Sequence, residues 1–304
     1  MRGLSEFPCD IVQKKGLIMK KMLVGALIVG SLFSAQAFAE SAPNTLGRIK
    51  AAKAINVAYA PDSLPFSFAG QDKQPAGYSI DLCKRVIARL GQVVGQPNLK
   101  VNWLPGDTQA RLQMVRSGKA DLDCANTTQT LARLETVDFS NLIFADAGGV
   151  IVRAESPIGR IADLAGKPVA VLKGTTTEKR LKALLATDLA GMQIVPVNDS
   201  REGLQLLNAG TVAAYAGDRI KLVGAAVQEG NAGKFELLTE ELSFEPYAMA
   251  LPRGDSALRL EVNRALTQVY QSGDIETIFA DWLGKAGRPT GLLAAMYLLN
   301  SIPE

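Results

Sequence analysis

Arg133 is the residue of this chain best placed to do chemistry. It closes a polar run containing Thr127, Thr128 and Thr130, which follows a short apolar stretch and precedes Val137-Asp138-Phe139-Ser140. A guanidinium is a planar fork of five donors, and beside threonine hydroxyls and backbone N–H groups it grips a carboxylate bidentately. That chemistry is recognition, with no bond broken. On spacing alone a solvated arginine on a surface turn is the stronger explanation, because charged side chains mostly sit in water.

The composition removes many alternatives. Histidine is absent from all 304 residues, which excludes Ser-His-Asp and Cys-His nucleophilic pairs and the commonest metal ligand. No cofactor or metal is expected. Cys83 and Cys124 lack the C-x-x-C spacing of a zinc or redox motif, and both a disulfide between them and two buried thiols fit their apolar surroundings.

The N-terminus sets the compartment. Behind Lys20 and Lys21, the apolar run Met22 to Ala39 ends in Ala37-Phe38-Ala39, the pattern of a secretory signal peptide cleaved after Ala39. Translation from Met19 is expected, and a soluble periplasmic protein follows. Cleavage removes five bases and two acids (Glu6, Asp10) from 33 and 30, leaving 28 of each. A nearly neutral chain without a basic stripe does not carry a nucleic-acid footprint.

The elements that must position Arg133 can be read from the hydrophobic pattern. Ile55 to Ala60 is strand-like, the stretch after Pro61 reads as loop, and Ile80, Cys83, Ile87 and Leu90 fall at helical spacing up to Gly91. Leu99 to Leu104 is the next strand and Leu112 to Val115 lie in the next helix, an order that argues for an α/β fold with a largely parallel sheet. Around Phe144 to Val152 the chain becomes continuously apolar, as a strand crossing into a second lobe would. Strands at Pro168 to Leu172, Met192 to Val197 and Val212 to Gly217 then alternate with helices from Thr175, Ser200 and Arg219. Glu245 to Leu251 is the return crossing, followed by helices over 256–271 and 274–283 and an apolar tail expected to dock as a helix. The expected organisation is residues 1–39 as cleaved leader, 40–146 as lobe 1, 147–245 as lobe 2, and 246–304 as the return to lobe 1.

Four ordered motifs in the first half sharpen this picture: Gly77-Tyr78-Ser79-Ile80-Asp81-Leu82, Ser117 to Asp121, Thr130 to Arg133, and Val137 to Ser140. Together they resemble the signature of family 3 solute-binding proteins, the periplasmic amino-acid receptors of ABC importers, and the C-terminal tail resembles the glutamate/aspartate subgroup. The resemblance spans roughly 49–284 and implies the two-lobed, type II periplasmic-binding-protein-like fold with two crossing hinge strands. It implies a monomer that binds a free polar or acidic amino acid between the lobes and hands it to an inner-membrane ABC permease.

By the same resemblance, Arg133 clamps the α-carboxylate, Thr128 adds an N–H or hydroxyl donor, and Asn126 offers its carbonyl or side chain to the ammonium group. From the second lobe, Thr175 begins a T-x-x-E capping box with Glu178, and its helix N-terminus faces the same carboxylate. Asp218 pairs with the ammonium group or, more plainly, caps the next helix; Phe66 walls the substrate or packs in the core. Thr108 and Arg111 stand where relatives hold a distal carboxylate. Two departures weaken an acidic specificity: Ala60 replaces a second arginine and Ser200 a histidine. The competing reading is an enzyme on the same scaffold, such as a cyclohexadienyl dehydratase, with Glu178 as general acid.

Overall fold

A computed structural model describes residues 44–230, 232–284 and 287–303; the signal peptide, its cleavage site and the start codon lie outside the described residues. The chain begins with helix α1 (Thr45–Ala52) and strand β1 (Ala54–Tyr59), then makes a small antiparallel sheet from β2 (Asp62–Ser63), β3 (Ser67–Ala69) and β4 (Pro75–Ala76). Helix α2 (Tyr78–Val93), β5 (Lys100–Pro105), α3 (Thr108–Arg116), β6 (Leu122–Asp123) and the one-turn helix α4 (Leu131–Leu134) complete the first pass. Strand β7 (Val137–Arg153) leads into β8 (Pro168–Leu172), α5 (Thr176–Leu185), β9 (Gln193–Val197), α6 (Ser200–Asn208), β10 (Ala214–Asp218), α7 (Arg219–Gln228) and β11 (Phe235–Leu237). Strand β12 (Ser243–Pro252) returns, and α8 (Ser256–Ser272), α9 (Asp274–Leu283) and α10 (Gly291–Leu299) follow.

The main sheet runs β5-β1-β6-β12-β7-β10-β8-β9, with β11 on the second half of β7. Strands β1, β5 and β6 are parallel, as are β8, β9 and β10. Between these two parallel sets, β7 and β12 pair antiparallel with each other from Ser243↔Gly148 to Pro252↔Val137. The result is a two-lobed α/β fold joined by two long crossing strands. Register shifts interrupt that pairing between Tyr247 and Ala250, and bulges of this kind bend and twist a ribbon.

Alternation along the strands explains why each lobe holds together. In β7, Val150 and Val152 face one apolar cluster of the second lobe and Ile151 the other; in β8, Val169 and Val171 oppose Ala170 in the same way. A sheet covered by helices on both faces must be apolar on both. The first lobe packs α2, α8, α9 and α10 into one core that includes Ile80, Leu90, Leu266 and Phe279. The tail docks as expected: Leu293, Met296 and Tyr297 are buried, and the Tyr297 hydroxyl lies 2.8 Å from that of Tyr78.

Two local expectations change. Helix α2 continues past Gly91 to Val93, and glycine is required there because a Cβ would lie 2.8 Å from the Gln96 carbonyl oxygen. The proline-flanked stretch after Ala60 is not all loop, since Asp62–Ser63 pairs with Ser67–Ala69 in a short hairpin. Cys83 and Cys124 are joined in a disulfide, with Cα atoms 6.0 Å apart, which resolves the choice left open by their spacing.

Candidate functional site

Strand β6 ends at Asp123, and the loop after it owes its shape to a buried ion pair. Asp123 Oδ1 accepts from Arg111 Nε at 2.9 Å and Oδ2 from the Thr127 hydroxyl at 2.6 Å. Arg111 also donates from Nη1 to the Gly106 carbonyl (2.8 Å) and from Nη2 to Thr127 Oγ1 (3.2 Å). With Arg111 2% exposed and Asp123 fully buried, this is a pair that costs desolvation and is retained only with its hydrogen bonds complete. It fixes the position of Asn126, Thr127 and Thr128.

Arg133 lies across that loop. Helix α4 is capped by Thr130, whose hydroxyl oxygen accepts from the Arg133 N–H, and the guanidinium turns back so that Nη1 donates to the Thr128 carbonyl at 2.6 Å. Burial lowers the guanidinium pKa from its ordinary value, and the charge of Glu245 opposes that shift. The Thr128 hydroxyl donates to Glu245 Oε2 at 2.6 Å. A hydroxyl has one proton, so toward a third group Thr128 Oγ1 is an acceptor, which revises the expectation of a hydroxyl donor and leaves its N–H for that task.

The second lobe brings three consecutive threonines, each with a separate partner. Thr175 caps α5: its oxygen accepts from the Glu178 N–H (3.2 Å) while its proton goes to the Leu172 carbonyl (2.8 Å). Thr176 donates to Glu245 Oε2 at 2.7 Å, and Thr177 reaches Asp218 Oδ1 at 3.5 Å. The capping box closes only on one side, because Glu178 Oε2 accepts from the Gly174 N–H instead of that of Thr175. Burial raises the Glu178 pKa, but bonds from Lys182 and Gly174 outweigh it and hold the carboxyl below its ordinary value.

Asp218 stands at the N-cap position of α7 without making the cap bond. Its Oδ2 instead accepts from Asn126 Nδ2 at 3.0 Å, a direct link between the lobes. Helix α7 takes its N-terminal acceptor from β7: Asp146 Oδ2 accepts from the Ile220 N–H and from the Tyr247 hydroxyl, both at 3.2 Å. Asp146 and Glu245 stand directly opposite in the ladder, with Asp218 close enough to act through its charge on Asp146 and on Arg133. Burial raises Asp218, the Glu245 charge adds to this, and Lys221 opposes it. Asp146 is pushed up to about 7 by burial and the neighbouring Asp218 charge.

Of the residues singled out from the sequence, Arg133, Thr128, Asn126, Thr175 and Asp218 come together where the two lobes meet. A cavity of about 20 Å³ beside Thr175, Thr177, Asp218 and Lys221 has room for about one water. The other three residues have other surroundings, and for Phe66 these are the core packing that was one of its two expected places. Phe66 is fully buried, its ring edge-on to Phe144 and Tyr247 at centroid distances of 4.9 and 5.2 Å, so it serves the aromatic core. Arg111 is built into the wall with its charge matched by Asp123. Thr108 is the first residue of α3 and makes no side-chain hydrogen bond among the described residues. Sequence reasoning missed Asp146, Thr176, Glu245 and Tyr247. A signal existed for the two acids: Asp146 is the one carboxylate in the apolar run 144–152 and Glu245 the one in the strand 243–252, a placement that demands partners.

The comparisons agree with this architecture. The profile of the bacterial extracellular solute-binding proteins, family 3, matches residues 55–285. The L-glutamate/L-aspartate-binding protein of Pseudomonas aeruginosa is 32% identical over 271 residues, covering 89% of this chain and 90% of its own. An ancestral arginine-binding protein bound to glutamine is similar in structure, with a TM-score of 0.68 and 30% identity over 76% of this chain and 98% of its own. The ancestral amino acid-binding protein AncCDT-1, a precursor of cyclohexadienyl dehydratase, superposes with a TM-score of 0.68 at 26% identity, over 78% and 99% of the two chains. With its crossing strands, its two α/β lobes and a matched profile across most of its length, the chain belongs to family 3 of the bacterial extracellular solute-binding proteins.

Proposed function

We propose that this protein captures a free polar or acidic L-amino acid between its lobes and delivers it to an ABC importer in the inner membrane. One observation carries the reading: Arg133 of the first lobe and Asp218 of the second lie in one interlobe cluster, bridged by the 3.0 Å bond from Asn126 to Asp218. A guanidinium for the α-carboxylate and a carboxylate for the ammonium group are what an amino-acid zwitterion requires. The relatives' ligands, glutamate and aspartate in one case and glutamine in another, support a polar or acidic side chain. Because Asp123 already neutralises Arg111, and Ala60 and Ser200 add no cation, an amide side chain fits as well as a carboxylate.

The family is extracellular, and the leader ending at Ala39 supports secretion to the periplasm. The lobes are taken as 40–146 and 147–245, with 246–304 returning to the first. A dehydratase reading would rest on Glu178, yet a general acid working near neutral pH needs a raised pKa, and the pKa of Glu178 is lowered.

Calorimetry of the mature protein against the common L-amino acids tests the proposal. At least one amide- or carboxylate-bearing ligand should bind at micromolar Kd or tighter, about −8 kcal/mol or better. No heat with any of them at millimolar concentration would overturn it.

A further inference from the structure

Glu245 is a fully buried carboxylate on one of the two crossing strands, directly opposite Asp146 in the ladder. Its Oε2 receives hydroxyl protons from Thr128 at 2.6 Å and Thr176 at 2.7 Å, and its Oε1 receives one from Ser243 at 2.5 Å. Thr128 belongs to the loop that leaves β6 in the first lobe, whereas Thr176 is the first residue of α5 in the second. One oxygen atom is therefore the meeting point of both lobes.

We infer that Glu245 is the latch of lobe closure: a positioning residue that joins Thr128 to Thr176 across the cleft and so sets how slowly a bound ligand is released. The inference rests on the proposed amino-acid binding only for its kinetic consequence.

The physics is that of a buried anion. Out of water, a carboxylate is tolerated only if hydrogen bonds replace its hydration, and bonds to an ionised acceptor are shorter and stronger than neutral ones. Both replacements on Oε2 exist while the lobes are together, since separating them carries one threonine away. The third donor stays on the same strand and holds the carboxylate aimed at the cleft in either state. Glycine at position 148 serves that aim, because a Cβ there would lie 2.3 Å from Ser243 Oγ. The charge of Glu245 also faces Arg133 and Asp218, so the latch shares its electrostatics with the two groups that would hold the zwitterion.

The test uses the mature protein with spin labels at Lys119→Cys and Lys179→Cys, both exposed and one on each lobe, and compares wild type, Glu245→Gln and Thr176→Val. Thr176→Val removes one hydroxyl with little change of shape and keeps the test open if Glu245→Gln fails to fold. Without ligand, both variants should shift the interlobe distance distribution toward longer separations. With L-glutamine or L-glutamate, stopped-flow kinetics should show the off-rate rising about tenfold and the on-rate changing by less than about threefold. If wild type binds no common L-amino acid, the proposed function falls while the distance measurement still decides the latch. Unchanged distances in both variants, whether or not the melting temperature drops, would overturn it, because a residue that serves only fold stability alters the melt and not the lobe separation.

Discussion

At the scale of single residues, the site is an exchange of protons and charges among groups of similar strength. Among the described residues, Arg133 is held by one hydrogen bond from its side chain, to a backbone carbonyl that its own loop supplies. Its charge lies near those of Glu245, Asp123 and Asp218, and in the proposed reading its remaining donors are the ones an anionic ligand would use. Arg133→Ala should weaken ligand binding by about 100-fold or more, the loss of two charge-assisted bonds, while the melting temperature of the ligand-free protein changes little. Retained affinity in calorimetry would remove the residue from the site. Arg111 teaches the opposite lesson. Its sequence context looks as suitable for a ligand, but three of its nitrogens are committed to Asp123, Gly106 and Thr127.

At the scale of elements, short segments are held by strong local constraints. Strand β6 has two residues and carries the loop with Asn126 and Thr128, so its position depends on neighbours. One is α2, tied to it by the Cys83–Cys124 disulfide across a separation of 41 residues. A cross-link of that span removes loop entropy from the unfolded chain worth about 4 kcal/mol. The paired substitution Cys83→Ala with Cys124→Ala should lower the unfolding free energy by a comparable amount in denaturant titration, and an unchanged midpoint would show that the bond carries no such constraint. Helix α5 depends on Thr175 for its cap, and α7 borrows Asp146 from another strand because Asp218 is turned toward Asn126. The element that needs a cap and the residue that supplies it are 74 positions apart, which is why local motif reading, which offered Asp218 as the cap of α7 or as a partner of the ammonium group, could not find Asp146.

At the scale of the molecule, β7 and β12 are both the connection between lobes and the source of Asp146 and Glu245. Asp146 has its folded-state pKa raised from 3.8 to about 7. Between those values the folded protein keeps a proton that the unfolded chain has lost, so the stability associated with that proton is fully present below about pH 4 and lost as pH rises through about 7. Thermal midpoints of the wild type should therefore fall between about pH 5 and about pH 8.5, and Asp146→Asn should flatten that decline. An equal slope in the variant would assign the effect to other groups.

What the sequence by itself determined was whatever depends on pattern within a few residues of chain: the alternation of strands and helices, the two crossings, the docked tail, the cap at Thr175, and the run that brings Asn126, Thr128 and Arg133 together. Those are set by periodicity, turn chemistry and local spacing. Tertiary structure decided which polar groups were already paired. Whether an arginine is free or neutralised, whether a threonine proton faces a ligand or Glu245, and whether Cys83 meets Cys124 all depend on atoms that approach only when distant segments pack. A buried charge is tolerated only with partners, and those partners lie where the fold has put them: Thr128 and Thr176, 117 and 69 positions from Glu245, meet on one of its oxygens.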